Sequence, residues 1–148
     1  MICRAKNYKL IIYTCFTIAW ILFIFSFSMQ SGEESSQISG GIVSMLIGLF
    51  FPHDFVYIDQ LEFFIRKLAH FAEYFVLGVL VLQTLKQTRF PRQVLVGLLI
   101  CVLVASCDET IQLFSGGRSG KVADVVLDSV GAWCGMICRL KVRCRRYV

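Results

Sequence analysis

The stretch RKLAHFAEYFVLGVLVLQTL, residues 66–85, decides how this chain is read. Its second half is largely apolar and carries no charge, while its first half carries Arg66, Lys67, His70 and Glu73. An ionisable side chain in a membrane span costs about 2.5–3.5 kcal/mol on insertion scales. A chain that gathers several of them, and repeats the pattern in two later apolar runs, is building a site. Lys67, His70 and Glu73 stand three residues apart, so they share one side of a helix, drifting by roughly 60° per step.

The totals agree with a membrane chain. Of 148 residues, 57% are hydrophobic and 17% charged, against a usual ~25% charged. Residues 1–148 read as a single domain with no room for a soluble partner domain. Four windows, residues 10–28, 64–85, 94–114 and 122–140, approach the ~20 residues that a spanning helix needs. The expected fold is all-α: a four-helix polytopic transmembrane bundle with a short extracytoplasmic re-entrant or amphipathic helical segment.

The position of the charges predicts the topology. Arg4, Lys6 and Lys9 precede the first window; Lys86, Arg89 and Arg92 lie between the second and third; Arg139, Lys141, Arg143, Arg145 and Arg146 follow the fourth. With four spans, all three clusters fall on one side, and the positive-inside rule puts both termini in the cytoplasm of a multi-pass cell-membrane protein. The opposite side then holds every acidic residue: Glu33, Glu34, Asp54, Asp59, Glu62, Glu73, Asp108, Glu109, Asp124 and Asp128. The basic clusters read as topology anchors and anionic-lipid contacts, not as a nucleic-acid surface. Seven cysteines, with no CxxC pair and none in the outer loops, do not make a disulfide framework. The first apolar run ends in SFSMQSGEESS without a small-x-small cleavage site, so it reads as a retained span.

Along the chain, the first span is apolar all round and ends at Gln30 and Ser31, which either finish the helix or rim the site. Residues 38–51 (ISGGIVSMLIGLFF) are short for a span and suit a re-entrant or interfacial segment stopped by Pro52. Residues 54–65 place Phe55, Ile58, Leu61 and Phe64 or Ile65 at helical spacing among acids. They predict an amphipathic helix lying on the membrane before the chain turns inward. The whole outer segment either lids the region below it or pads the bilayer surface. Pro91 is expected at the start of the third helix. That helix is apolar until ASCDETIQLF, where Ala105, Asp108, Glu109 and Gln112 share a face. At 1.5 Å per residue, Asp108 lies roughly 9 Å inside the end of the span. Two acids in its last turns oppose the macrodipole and call for a cation or a ligand. SGGRSGK, residues 115–121, is a tight turn whose amides and Arg118 suit an anion, or a plain hairpin connection. In the fourth span Asp124, Asp128, Gly131 and Gly135 line one face, acidic above and open to close helix contact below.

The basic residues fix this topology without reference to the intramembrane polar groups, yet it delivers all of them to one place. Lys67, His70, Glu73, Asp108, Glu109, Gln112, Arg118, Asp124 and Asp128 are therefore the expected ligand-binding set, in a polar pocket opening outward among three helices. Its alternative is an ion-pair network that fixes packing. General acid–base work would fall to His70 with Glu73 or Asp108. A metal would need several O or N donors converging, which His70, Glu73, Asp108 and Asp124 offer. Lys67 one turn away would repel a cation, so no metal and no cofactor are expected. The apolar cytoplasmic halves argue against a proton or ion path.

RKLAHFAEYFVLG, DETIQLFSGGRSG and ADVVLDSVGAWCG, with the FSMQS ending of the first span, resemble the VanZ-like family of bacterial membrane proteins. The resemblance runs through nearly the whole chain in order. It makes Lys67, His70, Glu73, Tyr74, Gly78, Asp108, Glu109, Gln112, Arg118, Asp124, Asp128 and Gly131 the signature positions; Gly116 stands where many members carry Pro, which changes the stiffness of the turn. The family's founding member is associated with resistance to the glycopeptide antibiotic teicoplanin. The resemblance implies a protein of the bacterial cell envelope; with the outward polar pocket, the leading expectation is that it binds a lipid headgroup or cell-wall precursor. Its alternatives are a membrane hydrolase or transferase acting on a lipid-linked substrate, and a scaffold for a membrane complex. Expected partners are membrane lipids and a lipid-linked cell-wall precursor or lipoglycopeptide, with no oligomeric state implied.

Overall fold

The computed structural model describes residues 2–50, 58–88, 90–116 and 120–144, with side chains over residues 7–45, 58–88, 90–116 and 120–142. The described residues form five helices in chain order: α1 (Ile2–Ser28), α2 (Gly32–Phe50), α3 (Ile58–Leu85), α4 (Gln93–Phe114) and α5 (Val122–Cys144). No strand occurs among the described residues.

Among the described residues, three stretches are long and apolar enough to cross a membrane: Asn7–Ser28 in α1, Ile58–Leu85, and Gln93–Phe114. The chain is thus a multi-pass membrane protein, but the expected count of four spans is not reproduced by length and hydropathy alone. With 23 residues, α5 has the length. It falls short because Asp124, Asp128, Arg139, Lys141 and Arg143 dilute its apolar residues.

Two further expectations are corrected. Residues 58–65 do not form a separate surface helix that bends into a span. They are the first turns of α3, which runs unbroken for 28 residues, because no proline interrupts it and its first glycine is Gly78. Residues 54–57 lie outside the described residues. The short apolar segment expected at 38–51 is longer, a 19-residue helix beginning at Gly32. Its start is a capping box: the Ser31 N–H donates to Glu34 Oε2 at 3.0 Å and the Glu34 N–H to Ser31 Oγ at 3.2 Å. Glu33 and Glu34 in the first turn also complement the helix dipole. Pro91 does not begin α4; the helix starts at Gln93, after Arg92 at φ 52°.

Every other helix packs against α3. The core between them is Ile24, Tyr74, Leu77, Val81, Leu82, Leu85, Cys101, Ala105, Ala132 and Met136. The closest meeting is α3 with α5. A Cβ on Gly131 would stand 2.6 Å from the Phe71 carbonyl oxygen, and those on Gly78 and Gly135 would run into the Ala132 and Phe75 carbonyls. Backbone meets backbone, as small residues at a membrane-helix interface allow. Toward the outside, Ile11, Phe16, Leu22, Leu95, Leu99 and Leu103 are exposed, the face a lipid-bathed bundle presents.

Polar ties fix the remaining helices. Trp20 Nε1 donates to the Glu73 carbonyl at 2.9 Å, and the hydroxyls of Thr17 and Thr84 lie 3.0 Å apart, both joining α1 to α3. Ser39 Oγ donates to Glu62 Oε1 at 2.8 Å, joining α2 to α3, and Arg66 pairs with the same carboxylate oxygen at 3.4 Å. A hydrogen bond to a charged acceptor contributes about 1.5–3 kcal/mol. Ser39→Ala is expected to cost about 1 kcal/mol or more and to raise hydrogen exchange in α2, while α4 and α5 stay protected.

A buried carboxylate cluster and its side cavity

The end of the bundle that holds the polar residues is tied together by its connections. The Gly32 N–H donates to the Gly116 carbonyl at 2.9 Å, and Ser115 Oγ to the Ser28 carbonyl at 2.8 Å. The last turn of α1, the first turns of α2 and α5, the first half of α3 and the last turns of α4 therefore lie together.

Into this end α3 brings Lys67, His70 and Glu73 on one side of the helix. Lys67 Nζ forms an ion pair with Asp124 Oδ1 in the first turn of α5, the two side chains 23% and 16% exposed. The ammonium also lies 5.2 Å from the centroid of the Phe63 ring. α4 contributes Asp108, Glu109 and Gln112, all buried, with Asp108 wholly so. Glu109 Oε2 accepts the Lys121 N–H at 2.6 Å and so ties the end of α4 to the start of α5. Gln112 Nε2 donates to Asp108 Oδ2 at 3.3 Å and reaches Ser28 Oγ at 3.5 Å. One turn below Asp124, Asp128 is fully buried, and neither of its oxygens has a hydrogen bond among the described residues. His70, Asp108 and Asp128, from three helices, converge until their donor atoms lie within 4.8 Å of one another. Tyr74, one turn after His70, is fully buried, with its hydroxyl within electrostatic reach of Asp108 and Asp128.

Beside this cluster, a cavity of about 210 Å³ lies between the end of α1, α2 and α3. Phe27, Ile38, Ile42 and Ile65 give it an apolar wall; Ser28, Gln30, Ser35, Ser39, Arg66, His70 and Glu73 give it a polar one. His70 belongs to both the cavity and the carboxylate cluster. Wider and more open concavities lie elsewhere, at the opposite end around Leu82, Lys86, Phe90 and Arg92, and along α5 around Trp133 and Cys138.

Eight of the nine residues expected in the site are thus brought to one end of the bundle, and Arg118 lies outside the described residues. They do not share one chamber. His70 and Glu73 face the cavity between α1, α2 and α3, whereas Asp108 and Asp128 sit behind it, and Lys67 with Asp124 forms a separate pair. Ser28, Ser35, Ser39 and Glu62 were not expected there. The serines four residues apart in ESSQISG carry the signal: they mark a polar stripe on a helix, flanked on the same side by Ile38 and Ile42.

No curated protein and no solved structure matches the chain. The VanZ/LLP1 family model matches residues 12–142, a span that contains α3, α4, the turn between α4 and α5, and every carboxylate described above. By that match, the chain belongs to the VanZ/LLP1 family.

Proposed function

We propose that this VanZ-type protein holds the polar headgroup of an amphiphile, a membrane lipid or a lipid-linked cell-wall precursor, at the outer face of the cell membrane. In this reading α5 is a fourth span, since it packs along α3. The basic ends of the chain then face the cytoplasm, and the carboxylate end faces out. The observation that carries the proposal is the two-sided lining of the cavity between α1, α2 and α3. The isoleucines and Phe27 suit an acyl or prenyl chain, and Ser35, Ser39, Arg66 and His70 suit the oxygens of a headgroup. Sequestering a precursor in this way would change the access of glycopeptides such as teicoplanin to their target.

A second reading is favoured by the junction at His70. A membrane hydrolase or transferase would use that imidazole as general base or acid toward the cavity, backed by Asp108. One pair of measurements separates the two. Native mass spectrometry of the purified protein is expected to show a co-purifying lipid that His70→Ala loses; retention of that lipid at equal occupancy would remove the cavity from consideration. Asp108→Asn keeps shape and removes charge. It is expected to weaken lipid retention while leaving thermal stability near that of the parent. Turnover of a lipid-linked substrate falling about 100-fold or more with lipid retention unchanged would transfer the case to the enzyme. A drop in stability alone would make the cluster a packing device.

A further inference from the structure

We infer that the chain binds a divalent transition-metal cation, Zn²⁺ or Mn²⁺, between His70, Asp108 and Asp128. The three residues come from α3, α4 and α5, and their donor atoms already lie within 4.8 Å of one another. A cation with bonds of about 2.1 Å holds its donors about 3.4–4.2 Å apart, so small side-chain rotations close the remaining gap. Asp108 and Asp128 are both fully buried. Asp128 makes no hydrogen bond among the described residues, and neither does the buried Tyr74 hydroxyl near it. A carboxylate in that position needs a counter-charge.

The lysine and arginine nearby are paired elsewhere. Lys67, whose repulsion argued against a metal from sequence, is held by Asp124 at the rim, and Arg66 by Glu62. The surrounding groups instead add acceptors: Glu73 on α3, and on α4 Glu109, whose Oε1 is buried with no hydrogen-bond partner among the described residues. Gln112 donates to Asp108 Oδ2 and would orient that ligand, as an outer-sphere amide does. One imidazole with two carboxylates and no thiolate fits Zn²⁺ or Mn²⁺ better than a soft cation. Three protein donors leave a coordination position for water or a ligand oxygen. Because His70 also lines the cavity, that position can serve a headgroup, but the metal site does not depend on one.

The test uses the full chain, purified in detergent, stripped with chelator and then titrated with Zn²⁺ or Mn²⁺ without added lipid. Elemental analysis after dialysis is expected to find one cation per chain. Asp128→Asn should weaken its binding by at least about 100-fold, whereas Glu33→Gln, an exposed acid on α2, should leave it unchanged. Should Asp128→Asn fail to fold, electron spin-echo spectra of Mn²⁺ on the parent protein are expected to show coupling to one imidazole nitrogen. Folded parent protein that takes up neither metal, an Asp128→Asn protein that binds as tightly as the parent, or bound Mn²⁺ with no nitrogen coupling would each overturn the inference. A parent protein that binds the metal but co-purifies with no lipid would count against the headgroup reading alone.

Discussion

Gly135→Leu is expected to separate α3 from α5 and to cost about 3 kcal/mol or more, the upper end of what overpacking does. At most crowded positions a neighbour gives way by changing rotamer. Here the first atom a Cβ meets is the Phe75 carbonyl oxygen, with the carbonyl carbon and Cα behind it. None of these can rotate aside without unwinding α3. The same face carries Gly131 against Phe71, with Gly78 opposing from α3, so the displacement has to run along the whole contact. Because α3 touches every other helix, the damage is not confined to α5: the spacing of His70, Asp108 and Asp128 depends on that contact. Thermal unfolding in detergent should show a much lowered transition, and metal and lipid retention should fall with it. Gly41→Ala is the control. Nothing lies within 4 Å of a Cβ there, so the change should stabilise α2 by about 1 kcal/mol through helix propensity. A Gly135→Leu protein as stable as the parent would mean that α3 and α5 do not meet backbone to backbone.

That contact was legible before any coordinates, because Gly131 and Gly135 fall on the same face as Asp124 and Asp128. So was the gathering of polar groups: helical spacing told which residues share a side, and the basic clusters told which ends lie together. What spacing does not carry is the division among partners. Lys67, His70 and Glu73 share one side of α3, but the drift of the helix turns Lys67 toward α5 and Glu73 toward α1 and α2. The single pocket expected from their register is therefore an ion pair, a carboxylate cluster and a side cavity. The length of α2 was missed for a different reason. Its first turns are polar, and a search for apolar runs starts too late, although the Ser31–Glu34 capping box marks its true beginning. The continuity of α3 is hidden by a change from amphipathic to apolar sequence, which resembles a bend although no residue there imposes one.

Lys67→Glu is expected to destabilise the protein by more than 3 kcal/mol, and Asp124→Lys in the same chain to recover most of the loss. Both side chains of the pair are largely buried, and removing one partner of a buried pair costs about 3–5 kcal/mol. Reversing the sign does more than remove a partner: two unit charges 4 Å apart repel by about 4 kcal/mol at an effective dielectric of 20. The new carboxylate would also face Glu109, which lies within electrostatic reach of Lys67, Asp108 and Asp124. The double variant restores opposite charges across α3 and α5. It places the cation in the first turn of α5, where the dipole opposes it by about 0.3–1 kcal/mol, so recovery should be large but incomplete. A coupling energy of about 3 kcal/mol or more, at or above the top of the range for contacting residues, is the expected reading from the double-mutant cycle by chemical unfolding in detergent. If the two changes are simply additive, the ion pair does not hold α5 to α3, and the burden of that contact passes entirely to Gly78, Gly131 and Gly135.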